Sequence, residues 1–114
     1  MDFKVVNDIL INNTDSRRYK RGSENYKEGY VEEVRYTNEK RILTIDAQVA
    51  SESQNKSYAS TIKIDLENKE VISALCECED CIKRSKAGQI AICKHMVSAT
   101  LYVINLLKSD ESVI

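Results

Sequence analysis

The residues that could do chemistry in this 114-residue chain are crowded into positions 76–95, which hold all four cysteines (Cys76, Cys78, Cys81, Cys93) and the single histidine, His95. Thiols that merely fill a core have no reason to cluster in this way. Cys76-Glu77-Cys78 and Cys93-Lys94-His95 are two i, i+2 pairs of soft or borderline donors, a set that suits one tetrahedral zinc ion per chain. In an extended segment residues i and i+2 share a face, so Cys76 and Cys78 can grip a metal from the end of a strand. Inside a helix the same spacing places side chains on nearly opposite sides. Cys93 and His95 converge only if Cys93 lies just before a helix and His95 in its first turn, where the helix start also favours a thiolate.

Other uses of these residues compete with the metal. A reduced core or a disulfide is the plain alternative, but a disulfide leaves His95 without a role and a bridged Cys-x-Cys closes a strained ring. His95 as a base beside a Cys93 or Cys81 nucleophile would need the one histidine that the metal site uses. Four protein donors also close the coordination shell, which points to structural rather than catalytic zinc. Cys78 and Cys81 form a Cys-x-x-Cys, so a redox- or metal-responsive protein with Cys81 as a reactive thiol is the second functional reading, although the strand-to-helix setting of a thioredoxin-type site is missing. No G-x-x-x-x-G-K phosphate loop is present. The chain by itself is expected not to be an enzyme.

These donors need elements to hold them. The pattern predicts an α+β domain, a small antiparallel sheet of about four strands with N-terminal helices and a C-terminal helix. Phe3, Val6, Ile9 and Leu10 mark a first helix, with Asp2 as its cap and a break at Asn12-Asn13-Thr14-Asp15. Tyr19, Gly22, Ser23, Tyr26 and Tyr30 recur at helical spacing over 16–28, ended by Gly29 at the left-handed position, and Gly22 suggests close packing. Period-two alternation over Tyr30 to Tyr36, Arg41 to Ser51 and Tyr58 to Leu66 predicts three strands, joined by Thr37-Asn38-Glu39-Lys40 and Glu52-Ser53-Gln54-Asn55. Val71 to Cys76 is a fourth strand that delivers the first ligand pair. Residues 79–88 read as a loop with Gly88 at its tip, followed by a short strand over Gln89 to Ile92. The last helix runs from Lys94 to about Lys108, apolar nearly all round, before a polar tail. The layout is one domain: helical segment 1–29, strands 30–75, metal-binding segment and helix 76–108.

Charge says little about partners on its own. The net charge is -1, with 42% hydrophobic and 31% charged residues. Zinc held by three thiolates would make the balance about one unit more negative, so any nucleic-acid contact needs a local patch. Two segments offer one: Lys83, Arg84 and Lys86 between the ligand pairs, and Arg17, Arg18, Lys20 and Arg21 on the second helix. Solvated faces are the bland reading of both, and Glu24 stands at helical spacing from Lys20 and Arg21 to pair with them. The tyrosine stripe at helical spacing reads as packing rather than base stacking. No apolar run approaches membrane-spanning length, and thiol ligands need a reducing compartment, so a cytoplasmic location is expected.

Cys-x-Cys, fourteen intervening residues and Cys-x-His together resemble the SWIM zinc finger, and Cys93-Lys94-His95-Met96-Val97-Ser98-Ala99-Thr100-Leu101 is similar to the Cys-Lys-His-x-x-x-Ala-x-Leu end of that family. The similarity covers about Val71 to Leu107. More loosely, Tyr19-Lys20-Arg21-Gly22, Tyr26 and Gly29-Tyr30-Val31 resemble the segment ahead of the finger in bacterial Swi/Snf-type helicase-like ATPases. The resemblance implies Cys76, Cys78, Cys93 and His95 as zinc ligands in a module contacting DNA and/or protein. It also implies an ATPase motor, possessing DNA-dependent activity, in a longer parent beyond residue 114. Two departures stand out: Cys81 has no counterpart in the motif, and Glu79 replaces a frequent Pro. They leave Cys81 as an alternative ligand.

Overall fold

The computed structural model describes residues 3–52, 56–88 and 92–112. Its centre is a four-stranded antiparallel meander in the order β1-β2-β3-β4, with β1 Val31–Glu39, β2 Ile42–Ala50, β3 Ser57–Asp65 and β4 Glu70–Cys76. Strict alternation along the two central strands builds the buried face. Leu43, Ile45, Ala47 and Val49 from β2 lie beside Ser60, Ile62 and Ile64 from β3, all buried. The opposite face carries Asp46, Gln48, Thr61 and Lys63, where the Thr61 hydroxyl donates to Asp46 Oδ1 at 2.7 Å.

Four helices complete the chain: α1 Phe3–Asn12, α2 Ser16–Lys27, α3 Glu79–Lys86 and α4 Lys94–Ser112. α4 packs on the buried face of the sheet, while α1 and α2 pack on α4 from its other side. This central placement explains a helix that is apolar nearly all round: Met96, Val97, Ser98, Ala99, Thr100, Val103 and Ile104 are all buried. Its buried hydroxyls bond backward, Ser98 Oγ to Lys94 O at 2.9 Å and Thr100 Oγ1 to Met96 O at 2.8 Å, so neither is left unsatisfied. α2 begins at an Asp15 cap whose side chain accepts from Arg18 N, and the chain leaves it through Gly29 at φ 81°. The stripe of α2 packs as its spacing suggests: Gly22 is buried, Tyr19 joins the core margin, and Tyr26 meets Tyr102 of α4 edge-on at 6.1 Å.

Three local features differ from the sequence reading. Residues 79–86 form helix α3, not a loop. Glu79 and Asp80 occupy its first turn and Lys83, Arg84 and Lys86 its last, so the charges complement the helix dipole at both ends. Gly88, at φ 77°, then lets the chain turn away. The β1–β2 turn lies at Lys40-Arg41, both at positive φ (52° and 65°), so β1 extends through Glu39 instead of ending at Tyr36. α4 continues past Lys108 to Ser112 because Ser109-Asp110-Glu111-Ser112 contains no helix breaker. The cap at Asp2, Ser53-Gln54-Asn55 of the β2–β3 connection and Gln89 to Ala91 of the expected short strand lie outside the described residues, while Ile92 is not in a strand.

Both edge strands are bulged. The pairing shifts between Val31 and Glu33 in β1, leaving Glu32 extra, and between Val71 and Ser73 in β4, leaving Ile72 extra. A bulge moves the inward set by one residue, so Val71 and Ala74 both face the core at a spacing of three. In β4 this shift is what brings Cys76 to the buried face, beside Ser60.

Candidate metal centre

Two stretches of chain, residues 76–78 and 93–95, converge at one end of the sheet. Cys76 is the last residue of β4. Cys78 directly precedes α3, its carbonyl accepting from Ile82 N at 3.1 Å, and Cys93 directly precedes α4, its carbonyl accepting from Val97 N at 3.1 Å. His95 sits in the first turn of α4. Two helix N-termini therefore flank the centre, each with a thiol at its cap position, where exposed N–H groups and the helix dipole favour a thiolate. The sequence foresees this for Cys93; for Cys78 it becomes visible only once residues 79–86 are seen to be helical.

The donor atoms of Cys76, Cys78, Cys93 and His95 all lie within 4.8 Å of one another, and all four residues are buried. Tetrahedral zinc with Zn–S about 2.3 Å and Zn–N about 2.0 Å sets donor-to-donor edges of roughly 3.5–3.8 Å. His95 Nδ1 stands 3.8 Å from Cys76 Sγ and 3.7 Å from Cys93 Sγ, the size of those edges. The residues fit a zinc ion, with Nδ1 rather than Nε2 as the histidine donor.

The electrostatics of the cluster leaves room for a cation. Cys78 and Cys93 direct their thiols at Cys76 and, with the Ser60 hydroxyl, push it strongly toward the thiolate. Cys93, beside the charge that Cys76 then carries and buried as well, is pushed strongly the other way. Three sulfurs this close cannot ionise together unless a cation takes the charge. None of the four cysteines is in a disulfide. Cys81, 1% exposed on α3, is outside the four-donor cluster, so the cluster matches the set carried by the two i, i+2 pairs.

The surroundings of the donors divide into satisfied and unsatisfied groups. Ser60 Oγ donates to Cys76 Sγ at 3.1 Å, drawing charge from a ligand sulfur and fixing its position. On the other side, His95 Nε2 is buried with no hydrogen-bond partner among the described residues, and the Tyr58 ring lies 5.0 Å from the imidazole. Because second-sphere donors tune affinity by about 10–100-fold, Ser60→Ala should weaken zinc about tenfold while leaving the fold intact. Competition against a chromophoric chelator measures this directly.

The two basic segments adjoin at this centre. Arg18 reaches from α2 to α3 and holds Asp80 with both ends of its guanidinium, Nε to Oδ2 at 2.8 Å and Nη2 to Oδ1 at 2.6 Å, while also pairing with Asp15. That clamp holds the Asp80 carboxyl below its usual range. Arg21 pairs with Glu52 at 2.6 Å, and Lys94 pairs with the same carboxylate at 2.7 Å. These two cations, Lys94 first, lower the Glu52 pKa to about 2. Arg17, Lys20, Lys83 and Lys86 are exposed. Arg84 is half-buried, in the field of Asp15 and Asp80, and its Nη1 has no hydrogen-bond partner among the described residues. Between α2 and the start of α4 lies a cleft of about 290 Å³ lined by Arg17, Arg18, Arg21 and Lys94 together with Asp80, Cys78, Cys93 and His95. Glu52, the hub of two of these contacts, escaped the sequence reading because nothing local marks a glutamate in the turn after a strand.

No helix among the described residues is long and apolar enough to cross a membrane. Comparison of the chain with protein-family models, with curated proteins and with solved structures finds no match.

Proposed function

We propose that this chain is a zinc-stabilised recognition module that contacts DNA or a protein partner, and that it works in a reducing compartment such as the cytoplasm as the N-terminal part of a larger Swi/Snf-type ATPase. The observation that carries the zinc is the closed, buried set Cys76, Cys78, Cys93 and His95, with donor spacings of tetrahedral size. Four protein donors leave no position for a reacting water, so the metal's part is to cross-link β4, α3 and α4. The recognition reading rests on the SWIM-like spacing and on basic side chains gathered beside the rigid centre.

Native mass spectrometry of the reduced chain is the first test: one zinc per chain is expected, and a folded, metal-free protein would remove the SWIM reading. Titration with a DNA duplex at several salt concentrations then separates the partners, because phosphate contacts lose affinity steeply with salt. Absence of such binding, with a protein partner held independently of salt, assigns the surface to protein. Nothing in the geometry favours the redox reading. Replacing Cys81 with Ala should leave one zinc bound per chain at unchanged affinity, since Cys81 stands outside the donor cluster. Loss of the metal in that variant would make Cys81 a ligand and reopen the thiol-based alternative.

A further inference from the structure

The Glu52 carboxylate is held as a bound anion would be. One oxygen meets Arg21 Nη2 at 2.6 Å, the other meets Lys94 Nζ at 2.7 Å, and Asn25 Nδ2 lies 3.5 Å from the latter oxygen. Asn25 is a buried polar residue, 4% exposed, presenting its amide to this carboxylate. Arg21 and Lys94 also line the cleft beside the metal centre, where Arg17 is exposed and makes no ion pair among the described residues. Glu52 offsets part of the positive charge here, where Arg17, Arg18, Arg21 and Lys94 line the cleft and Asp80 is the only carboxylate among its lining residues. Withdrawing Glu52 leaves Arg21 and Lys94 without that carboxylate.

We propose that this cleft is a phosphate seat, with Glu52 as its intramolecular occupant, and that a backbone phosphate of a nucleic acid displaces Glu52 from Arg21 and Lys94. The inference rests on the nucleic-acid side of the recognition reading above. Two oxygens of a phosphate are spaced much as those of a carboxylate, so the donors that hold Glu52 suit it without rearrangement, and a further oxygen is left for Arg17. Displacement costs little. Both ion pairs are partly exposed, with Glu52 at 35% and Arg21 at 41% side-chain exposure, and solvent-screened pairs of this kind are weak. A polyanion with several phosphates near Arg17, Lys20 and Arg21 offsets that loss, whereas an isolated weak anion does not. The arrangement therefore screens for polyanions.

The test uses the full zinc-loaded chain and a fluorescein-labelled DNA duplex, followed by anisotropy at low salt. Glu52→Gln should tighten binding roughly 3–10-fold, while Arg21→Gln should weaken it by a similar factor and lower the salt slope by about one. In the double variant the gain from Glu52→Gln should shrink, because of the two cations it frees only Lys94 is left. Retained zinc in each variant shows that the fold is intact. An unchanged affinity in Glu52→Gln overturns the proposal, as does a gain that is undiminished in the double variant or is matched by Glu67→Gln, since either is a net-charge effect. Titration with inorganic phosphate, followed by the side-chain NMR signals of Arg17 and Arg21, separates the sources. Shifts at these residues without DNA binding keep the seat for free phosphate and overturn its nucleic-acid occupant together with the DNA side of the recognition reading. DNA binding that leaves both arginines unmoved overturns the seat and spares that reading.

Discussion

Replacing Cys93 with Ser should strip the chain of zinc and unfasten one end of the domain while the rest stays folded. Cys93 combines three features: its thiol is one of the four clustered donors, it occupies the cap position of α4, and it lies 1% exposed beside Cys76 and His95. Serine still offers an oxygen to cap the helix, so the change acts on the metal rather than on α4. A hydroxyl is a poor zinc donor at neutral pH, and zinc affinity should fall on the order of a thousandfold, about 4 kcal/mol. The loss has a defined location. α3 is short, packs mainly on β4, and is otherwise tied down by the Arg18–Asp80 clamp. The sheet and α4 keep a core of their own, from Leu43 and Ile62 to Met96 and Val103. Hydrogen exchange should therefore accelerate over residues 76–88 while β2 and β3 remain protected, and a chelator should reproduce that pattern in the unaltered chain. Uniform loss of protection would mean that the metal supports the whole fold, as it does in isolated fingers. A Cys93→Ser chain that keeps its zinc would remove the centre from this account.

The chemistry of this molecule was more legible in its sequence than its turns were. Donor identity and i, i+2 spacing are local properties, and the strand end and helix start they demand are what β4 and α4 supply. The central strands were legible for the same reason: alternation over Leu43 to Val49 is a direct image of a half-buried sheet. What escaped were features without a periodic apolar signature. α3 carries a single well-buried thiol, Cys81, and was read as a loop, although Glu79-Asp80 at one end and Lys83, Arg84, Lys86 at the other form the charge order of a helix. The β1–β2 turn uses Lys40-Arg41 where Asn-Gly would announce it, and two non-glycine residues at positive φ give no sequence signal. The bulges at Glu32 and Ile72 shift the inward face by one residue, which a period-two reading cannot anticipate. Glu52 and Asn25 belong to the site through tertiary placement alone.

A methyl group at position 22 should test whether helix packing holds the metal ligands in place. On propensity alone, Gly22→Ala in the middle of α2 should stabilise the chain by about 1 kcal/mol. The structure argues for the opposite sign. A Cβ at Gly22 would stand 2.5 Å from Val97 Cβ and Cγ1 and 2.7 Å from the Lys94 carbonyl oxygen, and two of those three atoms cannot rotate away. Gly22 O also lies 2.8 Å from Ser98 Oγ and shares that hydroxyl's single proton with the Lys94 carbonyl, so a hydrogen bond links α2 and α4 at the point of closest approach. Forcing the helices apart adds overpacking strain of about 1–3 kcal/mol to the loss of that bond, worth about 1 kcal/mol, and together these outweigh the propensity gain. A net destabilisation of about 1–3 kcal/mol is expected as a lower urea midpoint. The effect should reach the metal as well, because Lys94 lies between Cys93 and His95, and moving its carbonyl moves the first turn of α4. Zinc affinity should then fall roughly tenfold although no ligand has changed. If Gly22→Ala instead raises the midpoint and leaves zinc affinity unaltered, α2 does not approach α4 this closely, and the ligand geometry rests on the metal and the sheet alone.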